Sequence, residues 1–100
     1  MTTDPIYKSY MQLCMHIDGS QSLYLRIPTV WDDERKLWIG LIKTPKLQRL
    51  IYGEGENSFK LQNSFNLNLK KILEKNDELA DDAFSLFQPL SYWDEMYDAN

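Results

Sequence analysis

The sequence predicts an α+β domain in which four or five antiparallel strands precede two helices and a short C-terminal helical turn packed on one face. Three observations predict this class. Apolar residues alternate with period two in the first half of the chain, and they recur at helical spacing in the second half. One hundred residues, 43% of them apolar and only four of them glycine, suit a single domain (1–100) with one modest core.

The first two strands are predicted as a hairpin. Residues 10 to 17 alternate strictly, and residues 23 to 27 do so again after the turn sequence Asp18-Gly19-Ser20. Pro28 is predicted to end the second strand. The residues assigned to the core from this hairpin are Met11, Leu13, Met15, Ile17, Leu23, Leu25 and Ile27.

The third strand, residues 37 to 43, carries apolar residues at consecutive positions, which predicts a strand that is central or covered on both faces. Thr44-Pro45 indicates a turn, with a short helix from Thr44 as the alternative. Residues 47 to 52 are predicted as the fourth strand, and residues 58 to 61 as a fifth.

The helical part begins, on this interpretation, with Ser64 as the N-cap of a first helix. Asp77 caps a second helix that Pro89 stops, and Ser91 with Asp94 resembles a capping box that opens the final turn. The sheet and helices together add further predicted core residues, which are Ile39, Leu41, Phe65, Leu69, Ile72, Leu79, Ala83, Phe84 and Phe87.

Side chains suited to metal binding or catalysis are sparse. Cys14 and His16 are the only cysteine and histidine, and they supply two ligands where a structural zinc site needs four, so a small buried cysteine and a partly exposed histidine are expected. The acidic clusters are expected to be solvated, and the acids beside Gly53-x-Gly55 would repel a phosphate. We therefore predict no catalytic, cofactor-binding or metal-binding residues. One cysteine and a start without a basic and apolar leader make a cytoplasmic location the expectation.

Charge is distributed unevenly along the chain. Residues 1 to 71 contain ten basic and seven acidic side chains, whereas residues 72 to 100 contain one basic and eight acidic ones. The acidic end is also aromatic, and a charged end that carries large rings can dock on another surface. That surface is either a partner protein or the chain's own sheet, and the two alternatives are not exclusive.

The preferred candidate site is the C-terminal segment, whose aromatic and methionine side chains fall on one helical stripe beside acidic residues. Such residue types are enriched at protein interfaces, and flanking acids favour a partner with a basic or apolar groove. The predicted partner-binding residues are Tyr92, Trp93, Asp94, Glu95, Met96 and Tyr97.

The alternative candidate is a basic, aromatic hairpin over residues 35 to 52, which would bind single-stranded nucleic acid. Its residues are Arg35, Lys36, Trp38, Lys43, Lys46 and Arg49. We prefer a small non-enzymatic protein that modulates a partner, such as an inhibitor or accessory factor of a phage or other mobile element. The sequence does not indicate an oligomeric state.

Overall fold

The chain forms a four-stranded antiparallel sheet followed by three helices, as the α+β prediction requires. A computed structural model describes residues 9–17, 19 and 21–98, and it describes residues 97 and 98 by their backbone alone. The sheet order is β1-β2-β3-β4, so each strand pairs with its neighbours in sequence. The elements are β1 (Tyr10–Ile17), β2 (Gln21–Asp32), β3 (Leu37–Lys43), β4 (Leu50–Gly55), α1 (Ser58–Leu73), α2 (Glu78–Phe84) and α3 (Leu90–Asp98).

Strand β2 is long because it serves two partners in succession. Its residues 21–28 pair with β1, and Thr29–Asp32 pair with β3. The prediction that Pro28 ends the strand is wrong. Backbone groups alternate between the two sides of an antiparallel strand, and Thr29 N donates to Ser9 O at 3.0 Å on the β1 side. The N–H group that proline lacks at position 28 would therefore point to the other side of β2. Pairing with β3 begins only at Thr29, so no hydrogen bond of the sheet is lost there.

Helix α1 packs across β4 and β3, and glycines permit the close approach. A Cβ atom added to Gly53 would lie 2.7 Å from backbone atoms of Phe65, and one added to Gly55 would lie 2.3 Å from Leu61 N. This contact defines the helix-side face of the sheet. Cross-strand partners share a face, so the other face, here called the open face, carries the side chains of Val30, Ile39, Leu41, Lys43, Leu50 and Tyr52.

The core lies between the helix-side face and the helices. Its buried residues are Leu13, Leu25, Ile27, Ile51, Phe65, Leu69, Ala83, Phe87 and Trp93. Most belong to the predicted set, but two predicted core residues, Leu41 and Phe84, are 40% and 43% exposed. Trp93, which the predicted core did not include, is buried, in agreement with the alternative that the C-terminal rings pack on the chain's own sheet. Cys14 was predicted to be a small buried cysteine, and it is exposed because it lies on the open side of β1.

The predicted fifth strand is wrong, because residues 58 to 61 form the first turn of α1. The side chain of Asn57 accepts a hydrogen bond from Lys60 N at 2.9 Å, which caps the helix seven residues before the predicted N-cap Ser64. Leu61, Phe65 and Leu69 then recur every four residues and bury one face of the helix. Asp77, in contrast, caps α2 as predicted, but this helix ends at Phe84 and not at Pro89. Helix α3 begins at Leu90, so the predicted capping residue Ser91 lies inside it.

The segment between β3 and β4 is a hydrogen-bonded turn. Strand β4 begins at Leu50, three residues later than predicted, because Thr44 closes the turn by accepting from Gln48 N and donating to Arg49 O. At the β1–β2 turn, Gly19 has a φ of +80°, a left-handed conformation that favours glycine. Its predicted neighbours in that turn, Asp18 and Ser20, lie outside the described residues.

Candidate functional site

Helix α3 is fastened to the sheet by the buried side chain of Trp93. This residue is 5% exposed and packs within the core, and its indole Nε1 donates to Tyr24 O at 2.6 Å. Just before the helix, Gln88 exchanges two backbone hydrogen bonds with Tyr24, at 2.7 and 2.8 Å. The start of α3 is therefore held along the side of β2 that β3 does not reach.

A buried arginine provides a second attachment. The Arg26 guanidinium donates to Asp94 Oδ1 at 2.9 Å and to Gln12 Oε1 at 2.7 Å, and it lies 4.6 Å from the centre of the Tyr10 ring. Arg26 is 7% exposed, so its charge requires these partners. Since Arg26 belongs to the open face, this contact also shows that α3 borders that face.

The exposed side of α3 forms what we call the α3 ridge, consisting of Tyr92, Glu95 and Met96. Tyr92 and Met96 are 43% and 56% exposed and lie one helical turn apart. The Tyr92 ring meets the ring of Trp93 edge-on, with centroids 5.0 Å apart, so the buried tryptophan supports the exposed tyrosine. Glu95 is exposed beside them.

The structure divides the predicted partner-binding set. The prediction that all its apolar members share one outward stripe is wrong, because Trp93 faces the core while Tyr92 and Met96 face outward. Asp94 has half of its side chain exposed but is already paired with Arg26. The side chain of Tyr97 lies outside those described.

In the alternative basic site, Arg35 and Lys36 already have carboxylate partners. Arg35 donates to Asp32 Oδ2 at 3.0 Å and to Glu54 Oε1 at 3.1 Å, and it also contacts the Tyr52 hydroxyl. The hydrogen bond from Arg35 lowers the pKa of Asp32, and the hydrogen bond from Tyr52 followed by the Arg35 charge lowers the pKa of Glu54. Hydrogen bonds from Arg35 to Tyr52 and to Asp32 raise the pKa of the guanidinium.

The remaining members of the basic set do not meet on one surface. Lys36 Nζ lies 3.1 Å from Asp33 Oδ1. Trp38 pairs with Gly55 on the helix-side face, whereas Lys43 points to the open face. Lys46 and Arg49 lie on the exposed turn that follows β3. Trp38 and Lys43 are thus on opposite sides of the sheet, whereas Tyr52, the other ring of the hairpin, shares the open face with Lys43 and contacts Arg35.

On the open face, β3 and its neighbouring strands present apolar side chains that are exposed to solvent. Leu41 and Val30 on this face are both exposed, and Leu50 on β4 is 59% exposed. The prediction that β3 is central is confirmed. Among the described residues no helix covers the open face at β3, since α1 packs on the other face and α3 borders the open face only at β2. An apolar sheet face without its own cover is typical of an interaction surface.

One aspartate has a structural role that its position in the sequence did not indicate. Asp82, expected to be a solvated helix residue, is 4% exposed and accepts hydrogen bonds from Lys46 N at 3.0 Å and Leu47 N at 2.7 Å. Burial alone would raise its pKa, but these N–H groups and the Thr44 hydroxyl hold the pKa below its ordinary value. Asp82 therefore ties the β3–β4 turn to α2.

Within the described ranges, no three histidine, cysteine, aspartate or glutamate side chains cluster in a way that would hold a metal ion. None of the helices there has the length and apolar character that a membrane crossing requires. Comparison of the chain with protein-family models, with curated proteins and with solved structures finds no match.

Proposed function

We propose that this protein is a small binding module that modulates a partner protein through the α3 ridge. The observation that carries the proposal is that different residues of α3 anchor the helix and form its exposed surface. Trp93 and Asp94 attach the helix to the sheet, and this leaves Tyr92 and Met96 exposed one turn apart. A tyrosine and a methionine presented on a fixed helix are suited to insertion into an apolar groove.

The attachment of α3 matters because ordering a flexible segment on binding costs free energy. Two hydrogen-bonded anchors, Trp93 to Tyr24 and Asp94 to Arg26, fix the helix before it meets a partner. Pre-organisation of this kind reduces the ordering cost of association. The ridge is therefore better suited to recognition than an aromatic tail that folds only on contact.

The chemistry of the ridge also indicates the chemistry of its partner. Glu95 is exposed, and half of the side chain of its neighbour Asp94 is exposed as well. Acidic residues around an apolar centre steer association toward a basic rim. We therefore propose a partner groove with an apolar floor and basic edges. The proposed activity is binding. The role would be inhibitory if the ridge covers a functional site of the partner, and accessory if it does not.

The nucleic-acid alternative receives less support from the geometry. Arg35 and Lys36 are already paired with carboxylates, and Trp38 faces the helices. Of the predicted set, Lys43, Lys46 and Arg49 would remain to contact phosphates. Tyr52 shares the open face with Lys43, but its hydroxyl is already bonded to Arg35 and Glu54.

The proposal is tested by affinity capture with a double substitution, Tyr92→Ser with Met96→Ser, that removes the apolar part of the ridge. The matched control is Phe59→Ser with Leu67→Ser, because these α1 residues are 71% and 55% exposed but lie two turns apart. Both variants are expected to keep the wild-type melting temperature, since exposed substitutions change stability by about 0.5 kcal/mol or less.

A protein that is enriched by the wild type and by the α1 control, but lost with the ridge variant, would support the proposal. Its direct binding to the purified chain should then weaken at least tenfold in the ridge variant, measured by calorimetry. Equal enrichment of the same proteins by the ridge variant and the wild type would refute it.

A further inference from the structure

The outer edge of β1 differs from the other sheet edges in this fold. Strand β1 pairs with β2 at every position from Tyr10 to Ile17. Because Thr29 N donates to Ser9 O, the odd-numbered residues of β1 exchange the hydrogen bonds with β2. The backbone groups of Gln12, Cys14 and His16 therefore point away from β2, toward the outer edge.

The chain closes its other edges with specific hydrogen bonds. On β4, Asn68 Nδ2 donates to Tyr52 O at 2.5 Å, and Glu54 N donates to Ser64 Oγ at 3.1 Å, so α1 covers that edge. On the part of β2 that β3 does not reach, the backbone of Gln88 covers the edge through Tyr24. Natural proteins commonly protect strand edges in these ways.

The edge of β1 has none of these protections within residues 9–17, 19 and 21–98. No hydrogen bond there joins the backbone of Gln12, Cys14 or His16 to another element. The strand sequence YMQLCMHI contains no proline and no acidic or basic residue other than His16. A regular, uncharged edge of eight residues is a template for pairing with a further strand.

We propose that this edge pairs with the same edge of a second copy of the chain, which gives a dimer with one continuous eight-stranded sheet. The two β1 strands would run antiparallel about a twofold axis. The outward groups of one strand must meet the outward groups of the other, so even-numbered residues must face even-numbered residues. The pairing centred on Cys14 engages all three of them, with Gln12 opposite His16 of the second copy.

This register also matches side chains by chemistry. On the helix-side face it places Leu13 opposite Met15 and Met11 opposite Ile17, so each apolar residue meets an apolar one. Met11, Met15 and Ile17 are only half-buried in the single chain, and the second copy would cover them. On the open face, Gln12 lies opposite His16 of the second copy, and Cys14 lies opposite Cys14 of the second copy.

The absence of lysine, arginine, aspartate and glutamate from β1 favours a second copy as the occupant. A charged residue near the axis would face its own like charge across the interface, which destabilises pairing. The dimer does not rest on the proposed function. Helix α3 is attached to the side of β2 that faces away from β1, so both ridges stay accessible.

The oligomeric state in reducing buffer is the first test. Size-exclusion chromatography with light scattering should give about 24 kDa, twice the chain mass of 11.9 kDa, at concentrations in the hundred-micromolar range. Cys14→Lys should shift the protein to the monomer mass while its circular dichroism stays that of the folded chain, because the side chain at position 14 is exposed. Cys14→Pro provides a second variant, since the N–H group that it removes points to the outer edge and not to β2. The matched control is Leu50→Lys on the opposite edge, which should remain dimeric.

Cross-linking tests the register. Residues opposite each other in a hydrogen-bonded pair have Cα atoms about 5.5 Å apart, which a disulfide can span. Oxidation of the wild type with diamide should therefore give a covalent dimer, whereas Cys14→Ser with Leu50→Cys should give little. A monomer at every concentration, or a dimer that persists in both Cys14→Lys and Cys14→Pro, would overturn the proposal. Such a monomer would leave the α3 proposal unaffected, since partner capture by the ridge is measured separately.

Discussion

Replacement of Trp93 by alanine should destabilise the protein strongly, because this residue is part of the core as well as the anchor of α3. It is 5% exposed and touches the main apolar cluster. Truncation of a buried tryptophan to alanine costs about 3–5 kcal/mol. Domains of this size have a total stability of about 5–15 kcal/mol, so the substitution removes about a fifth of it at least, and more than half in a protein at the low end of that range.

The hydrogen bond and the apolar contact of Trp93 can be separated by a second substitution. Trp93→Phe keeps most of the ring volume but removes the donor to Tyr24 O. That carbonyl still accepts from Gln88 N at 2.8 Å, so it is not left without a partner. The cost of Trp93→Phe is therefore expected to be about 1 kcal/mol, plus a smaller term for the lost part of the indole.

Urea unfolding followed by circular dichroism at the helix band measures both effects. Trp93→Ala should also lower the melting temperature by about 12 °C or more, given about 4 °C or more per kcal/mol for a chain of this length. Met96→Ala, at an exposed position of the same helix, should stay within about 0.5 kcal/mol of the wild type. The reasoning would be refuted if Trp93→Ala unfolded at the same urea concentration as Met96→Ala.

Three further substitutions test the packing, the buried carboxylate and the helix cap. Gly53→Ala should destabilise the fold by more than 1 kcal/mol in urea unfolding, because its Cβ would lie 2.7 Å from Phe65 backbone atoms, and a wild-type midpoint would contradict that contact. Asp82→Asn should lower the melting temperature at pH 7. Because the folded-state pKa of Asp82 is depressed, its stabilisation is present above the ordinary value of 3.8 and is lost as pH falls through the folded pKa. The difference from wild type should therefore shrink at acidic pH, and a difference independent of pH would argue against the charged form. Asn57→Ala should cost about 1 kcal/mol, whereas Asn57→Ser should restore most of it, and an unchanged stability in the alanine variant would exclude the cap.

The β1–β2 hairpin was predictable because its signals are local. Leu13 and Leu25 alternate with polar residues, and Gly19 supplies the conformation that the turn needs. The start of α1 was harder to predict. Residues 58 to 61 alternate polar and apolar side chains as a strand does, and the apolar Phe59 is exposed in the helix. The capping side chain of Asn57 is the sequence signal that would have identified it, since it precedes the regular spacing of Leu61 and Phe65.

The C-terminal helix that carries the candidate site could be predicted from the sequence, but not which of its side chains face the core and which face outward. Tyr92, Trp93 and Met96 were correctly placed on one short helix, yet their division between core and surface depends on long-range contacts. The indole of Trp93 bonds to the carbonyl of Tyr24, which is far away in sequence and lies on the part of β2 that β3 does not reach. Asp82 is a similar case, since the N–H groups that it binds belong to a turn more than thirty residues earlier.

Site-specific photo-crosslinking tests the central claim most directly, by asking which surface of the folded chain touches a partner. A benzophenone amino acid at position 96 on the α3 ridge should form a covalent adduct with a discrete protein in lysate, and unlabelled wild-type chain should compete it away. The same probe at position 59 on α1, where the side chain is even more exposed, should give no such adduct. An adduct that forms from position 59 and not from position 96 would contradict the assignment of the ridge as the binding surface.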